Sequence, residues 1–390
     1  MKYRLFDTDS HINEPPHTWQ DRLPSKLKDR GFKVVELEDG DQAWVMEGAS
    51  PRRLDSPGST LASLALKVGG MENVTAEMAE QELHGKKKRF ENYRQGNYEA
   101  TARLEDMDLD GVDASVLYPG LGMNTLWTIE DSELRVASMS AYNDWLIEEL
   151  CSHVLERLMG LACIPTGDGM ETAVGELRRS VEKGHRGGII DLYPDIPLHD
   201  PHYDPLWEAA QDLGVPLHWH RANGPTANIP RGMTVWGGSL QGDQPASVAA
   251  RFFSSVVPAM YMLFNGVFHR FPGLNVVTAE TDFGWLPFMM QICDEQETRY
   301  AAWFGSEGDK KPSDYVKAQL YCTFMDDVVG CSMLDYTGAD NIMWSSDYPH
   351  GVTTWPKSSE YIEKNLGKRS QEERSKILAG NAARIYRLVN

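Results

Sequence analysis

Cysteine is scarce in this chain: Cys151, Cys163, Cys293, Cys322 and Cys331 are scattered, odd in number and without a Cys-x-x-Cys pair. That argues against a disulfide framework and against a thiolate zinc site. Positive charge is also in deficit. Lys and Arg total 38 against 57 Asp and Glu, a net charge of −19, and a field of that sign repels phosphate backbones and anionic lipid. Nucleic acids and membrane surfaces are therefore not expected partners. The densest basic run, Lys86-Lys87-Lys88-Arg89, lies in a polar stretch and reads as a solvated face. No apolar run approaches 18 residues, so no membrane-spanning helix is expected. The opening MKYRLFDTDSH lacks the apolar segment of a signal peptide, and a cytoplasmic protein is expected. Internal repeats and low-complexity linkers are missing as well.

What is present is enough apolar material for a large core: 390 residues, 41% hydrophobic and 10% aromatic. Short β-rich apolar runs alternate with longer helical patterns, the signature of βα units around a parallel sheet. Candidate strands fall at 3–9, 114–119, 159–165, 188–192, 215–220, 274–280, 319–324 and 342–347. Eight is the number a closed barrel needs. Helical patterns lie at 131–155, 170–183, 205–213 and 370–388, the third opening on Asp204 as N-cap before Pro205. Two stretches break the alternation. Residues 14–100, after the first strand, are polar and far longer than one helix, and 221–254, after the fifth, include Gly224, Pro225, Pro230, Gly232 and Gly237. Both are expected to wall the active site or to meet another subunit. The chain is read as one domain, 1–390, with 14–100 as an inserted subdomain or cover.

Ionisable residues gather where strands end. The first strand ends in Asp7-Thr8-Asp9-Ser10-His11, followed by Glu14. The fifth ends in His218-Trp219-His220, the sixth in Glu280-Thr281-Asp282, and the eighth in Ser346-Asp347-Tyr348-Pro349-His350. In a barrel these ends meet at one mouth, and strand period 2 lets Asp9 and His11, or His218 and His220, point the same way. Each has an ordinary structural role when taken singly. Converging from four strands, they need a cation to neutralise them.

The ordered set of motifs resembles the amidohydrolase superfamily, in the branch that includes aminocarboxymuconate-semialdehyde decarboxylase. It runs through Asp9-Ser10-His11 with Glu14-Pro15, Arg103-Leu104-Glu105-Asp106-Met107-Asp108 with Gly111-Val112-Asp113, and Ala141-Tyr142-Asn143-Asp144-Trp145. It continues through 184–188, Pro216-Leu217-His218, Phe271-Pro272-Gly273-Leu274, Glu280 with Gly284-Trp285 and Pro287, Ser346-Asp347-Tyr348-Pro349-His350 and Gly380-Asn381-Ala382-Ala383-Arg384. The resemblance implies a distorted (β/α)8 TIM barrel, with the long insertion after strand 1 and the long loop after strand 5, and a metal at its C-terminal face. Carried over by position, the ligands are Asp9, His11, His218 and Asp347. Asp9 stands where a first histidine is usual, and Glu280 where a sixth-strand histidine is expected, which adds Glu280 to the candidate shell.

The implied function is metal-dependent hydrolysis or non-oxidative decarboxylation of a small organic acid. Asp347 would shuttle the proton, and His220 or Glu280 would serve as acid/base. The donor set has no thiolate and suits Zn²⁺ foremost, then Fe²⁺ or Mn²⁺, as one ion or two. The two exchanges of nitrogen for oxygen keep a second reading open, an iron-dependent oxygenase like 2-aminoisobutyric acid hydroxylase. A third is a degenerate barrel that supports an active partner. A homo-oligomer, or a hetero-oligomer with a related barrel subunit, is expected on family grounds.

Overall fold

The computed structural model describes residues 3–54, 64, 68, 73–85, 87–152, 154–221, 223, 228–230, 233 and 240–388. Strand β1 (Phe6–His11) leads into a small antiparallel sheet of β2 (Lys33–Glu36), β3 (Gln42–Val45) and β4 (Arg52–Arg53). Then come β5 (Ala114–Tyr118), β6 (Leu158–Cys163), β7 (Gly187–Ile189), β8 (Leu217–His220), β9 (Val276–Ala279), β10 (Leu320–Phe324) and β11 (Ile342–Trp344). The main sheet has the order β1-β5-β6-β7-β8-β9-β10-β11, each strand parallel to the next. All eight strands expected from the sequence are there, in that order.

A parallel strand covered on both faces needs apolar residues on both, and for that reason these strands read as near-continuous apolar runs. All six residues of β6, LMGLAC, are buried. Helices such as Met170–Lys183 and Asp204–Leu213 lie between strands and end on Gly184 (φ 117°) and Gly214 (φ 61°). Both glycines adopt the left-handed conformation that stops a helix without a Cβ penalty. No ladder joins β11 to β1. Instead the gap is bridged by Thr8 Oγ1 donating to Trp344 O (2.8 Å), Asp347 N to Asp9 O (2.9 Å) and His11 N to Tyr348 O (2.6 Å). The sheet is thus nearly closed, and the closing bonds come from residues at the mouth.

One local expectation changes, and two regions gain detail. Within the 14–100 insertion β2 to β4 form a sheet, too short and too polar at alternate positions to stand out in sequence. It packs through Trp19, Phe32 and Trp44, whose ring centroids lie 4.5–6.4 Å apart, and Trp19 Nε1 donates to Ser138 O (3.0 Å). Asp204 lies inside its helix, and the cap belongs to the preceding turn, where Asp200 accepts from His202 N (2.8 Å). One helical stretch, Pro245–Phe264, is long and apolar enough to cross a membrane by length and composition alone, with a mean hydropathy of 1.3 and 33% of it buried. Gly224, Pro225, Gly232 and Gly237 of the loop after β8, Lys86 and most of 55–72 lie outside the described residues. The five cysteines are free and buried.

Candidate active site

Asp9 and His11 sit two residues apart on β1 and share a side of the strand, 1% and 2% exposed. Between Asp7 and Ser10 the register of β1 against β5 shifts, an irregularity of the kind that re-aims side chains beside active sites. His220 ends β8, Glu280 follows β9 and Asp347 comes three residues after β11. His11 Nε2 lies 3.5 Å from both Asp9 Oδ1 and Asp347 Oδ1. His220 Nε2 lies 4.0 Å from Asp9 Oδ1 and 3.1 Å from Glu280 Oε2, the latter out of hydrogen-bond alignment. Glu280 and Asp347 are both held at positive φ, 54° and 56°. That conformation costs a non-glycine residue on the order of 1 kcal/mol or more and collects at functional sites.

The surrounding contacts aim this group. His11 Nδ1 pairs with Pro119 O (3.0 Å), leaving Nε2 free to face the acids. The fully buried Arg103 donates to His11 O (2.9 Å) and Ser10 Oγ (2.6 Å), fixing the end of β1. Asp7 accepts from Ser346 N (2.8 Å) and its hydroxyl (2.5 Å), which holds the turn before Asp347. His350 Nδ1 pairs with Asp347 Oδ1 at 2.7 Å. After all this, Asp9 Oδ1 and Oδ2, His11 Nε2, His220 Nε2 and Asp347 Oδ2 remain buried without a hydrogen-bond partner.

Such atoms are costly to bury unless something neutralises them. Burial, with Asp347, Glu280 and Asp7 near by, holds the Asp9 carboxyl well above the ordinary carboxylate range. Burial, then the nearby His350 and His220, holds His11 well below the usual imidazole value, and burial with Arg221 does the same to His220. Burial and Asp347 push Glu280 up to about 7 against the pull of Arg221. Two neutral imidazole lone pairs and two carboxylates aimed at one another fit a divalent cation. Asp9, His11 and His220 form one group with donor atoms within 4.8 Å of one another, and His11, Asp347 and His350 form a second.

Asp9, His11, Glu280 and Asp347 are therefore brought together. His218 is not, and its candidacy as a ligand is corrected. It lies two residues deeper in the barrel, where Nδ1 pairs with Tyr118 OH (2.6 Å) and Nε2 with Tyr386 OH (3.3 Å). Gly187 leaves it space, since a Cβ there would sit 3.2 Å from Nε2. The fifth-strand histidine at the mouth is His220. Glu14 is also turned away, accepting from the amides of Gly120, Leu121 and Gly122 (2.8–3.0 Å). Sequence reasoning missed Arg221, whose guanidinium meets Glu280. Its signal was a lone cation directly after a strand end that carries two histidines.

A model of the amidohydrolase family matches residues 91–388, and the chain belongs to that family. Gamma-resorcylate decarboxylase from Rhizobium sp. strain MTP-10005 is 25% identical over 307 residues, covering 73% of this chain and 86% of that protein. Among solved structures, an amidohydrolase from Mycobacterium avium subsp. paratuberculosis superposes with a TM-score of 0.76 at 20% identity, covering 99% of this chain and 100% of the other. A dihydroxybenzoic acid decarboxylase from Polaromonas sp. JS666, solved with manganese and 2-nitroresorcinol, gives 0.63 at 18% identity, over 99% and 97%. The protein is thus a metal-dependent enzyme of the hydrolase and decarboxylase class. None of these relatives is an oxygenase.

Proposed function

We propose that this enzyme removes CO₂ without oxidation from a small aromatic hydroxy acid. The carrying observation is the buried knot of unpartnered Asp9, His11, His220 and Asp347 atoms at the barrel mouth, with Arg221 and Glu280 on its edge. The names of the relatives, decarboxylases of resorcylate and dihydroxybenzoate, support the substrate class. Asp9, His11, His220 and Asp347 would hold the ion, and their sharing of His11 favours one ion over two. Manganese suits two carboxylates and two imidazoles as well as zinc does, and the Polaromonas enzyme carries it. When bound, the ion supplies a Lewis acid that polarises the oxygens of a bound acid.

Decarboxylation breaks the ring-carbon to carboxyl bond, CO₂ leaves, and the electron pair left on the ring carbon takes a proton. Asp347, paired with His350, is the group we assign to carry that proton. Arg221 orients the substrate carboxylate once Glu280 releases it, and Glu280, pushed up to about 7, can take or give a proton on that edge. The end of the insertion is tied to the mouth: Asn13 N donates to Asn97 O (2.9 Å), and Tyr348 OH donates to Asn97 Oδ1 (3.2 Å).

The test is anaerobic incubation of manganese- or zinc-loaded protein with 2,6-dihydroxybenzoate and other hydroxybenzoates, following release of CO₂ and the phenol. Release without oxygen is expected. Absence of release from every hydroxybenzoate, or turnover only in air, would overturn the reading.

A further inference from the structure

Arg221 leaves the end of β8 with its guanidinium against Glu280 and 5.3 Å from the ring centroid of Phe252. The residue before that ring, Arg251, ends helix Leu240–Arg251 and brings a second guanidinium to the same edge of the mouth. Arg251 is half-buried. Its Nε donates to Met233 O (2.8 Å), which fixes the side chain, while Nη1 and Nη2 have no hydrogen bond among the described residues. No carboxylate of the described residues pairs with it either, although the chain has 57 acids to 38 bases. Burial and the neighbouring Arg221 hold Arg251 below the usual guanidinium value, against the pull of Glu280. Two cations set side by side repel one another, and a desolvated one is costly until an anion meets it.

The two arginines are not equivalent. The charge of Arg221 acts on Asp9, His220, Glu280 and His350, so it reaches the group of metal-ligand candidates. The charges that act on Arg251 are those of Arg221 and Glu280. Arg251 therefore stands outward of Arg221, on the side away from the imidazoles. A substrate carboxylate held at Arg221 leaves Arg251 to meet something farther out on the same molecule. We propose that the substrate carries a second carboxylate, one that the reaction does not remove, and that Arg251 binds it. This deepens the decarboxylase reading and rests on it for the chemistry, though not for the binding. The free end of the guanidinium offers Nη1 and Nη2 as two parallel donors, a match for the two oxygens of a carboxylate. A neutral ring substituent would leave Arg251 desolvated and unpaired. The whole chain, at net charge −19, repels a dianion from afar, so its recognition has to come from cations gathered locally, as these two are.

Isothermal titration of the manganese-loaded, full-length protein with benzoate, phthalate, isophthalate and terephthalate reads binding apart from turnover. At least one of the three dicarboxylates should bind about tenfold more tightly than benzoate, the gain from one charge-assisted pair. Arg251→Gln, which keeps a donor for Met233 O, should bring that ratio close to one, and Arg251→Lys should restore part of it. Circular dichroism melts of both variants check that they fold. The proposal is wrong if no dicarboxylate exceeds benzoate, or if the ratio survives in Arg251→Gln. Its failure is distinct from failure of the proposed reaction. A dicarboxylate preference that Arg251→Gln abolishes, with no CO₂ released from any hydroxybenzoate, would support the Arg251 site and overturn the decarboxylase. Release of CO₂ from 2,6-dihydroxybenzoate with no dicarboxylate preference would do the reverse.

Discussion

His218 and His220 have the same chemistry and share a strand face, and they differ in depth. Two residues along a strand span about 6.6 Å, enough to move one imidazole from the tyrosines of the barrel interior to the acids of its mouth. His220→Ala should therefore raise the dissociation constant of the metal by about 100-fold or more, while His218→Ala keeps full metal content and loses about 2–5 kcal/mol of stability. Metal analysis of both purified variants, beside urea denaturation, checks the pair. Metal loss in His218→Ala with retention in His220→Ala would reverse the assignment. Asp191, just beyond β7, offers a second test. Burial pushes it up to about 6 from 3.8, although the Thr166 hydroxyl donates to it. Its proton is held more tightly folded than unfolded, so it costs stability as pH rises from about 4 to about 6, by about 3 kcal/mol at most. Asp191→Asn removes that dependence. The stability gap between variant and wild type should shift towards the variant across that window and stay level above it.

The strands carried a strong sequence signal because each is buried on both faces, so composition and burial coincide. Their terminal acids and imidazoles were legible for the converse reason: a polar residue ending an apolar run is conspicuous. Depth along β8 was not legible, because period 2 gives Asp9 and His11, or His218 and His220, a common side but not a common height. The positive φ of Glu280 and Asp347 had no sequence signal at all, since neither is the glycine that such a conformation favours. The small sheet of β2 to β4 escaped because two- to four-residue strands are shorter than any periodicity can resolve. One side chain joins it to the barrel's first long helix. Trp19 is fully buried against Phe32 and Trp44 and is bonded to Ser138, so Trp19→Ala should cost about 3–5 kcal/mol. It should also speed tryptic cleavage at Lys33, Arg52 or Arg53 relative to sites in the barrel. An unchanged cleavage pattern would mean that the insertion is anchored elsewhere.

Closing a sheet into a ring forces strand ends that are distant in sequence, Asp9 and Asp347 among them, to share one small volume. The fold therefore concentrates acids that are almost wholly buried, Asp9 at 1% and Asp347 at 2% exposed, and it destabilises itself there unless a cation is present. A ligand that binds only the folded state adds stability as the logarithm of its excess over the dissociation constant, about 4 kcal/mol at a thousandfold excess. Stripping the metal with a chelator should accordingly lower the melting temperature by several degrees, and adding Mn²⁺ or Zn²⁺ back should restore it. Asp9→Asn separates this effect from general damage. It removes one buried carboxylate from the group without changing its size, so the metal-free variant should be more stable than metal-free wild type by about 1–4 kcal/mol. The same variant should lose the stabilisation that added metal gives the wild type. Calorimetry of both proteins with and without metal would show the two effects with opposite signs. If Asp9→Asn were instead destabilised without metal and still gained stability on adding it, Asp9 would be a structural residue and the cation would lie elsewhere in the mouth.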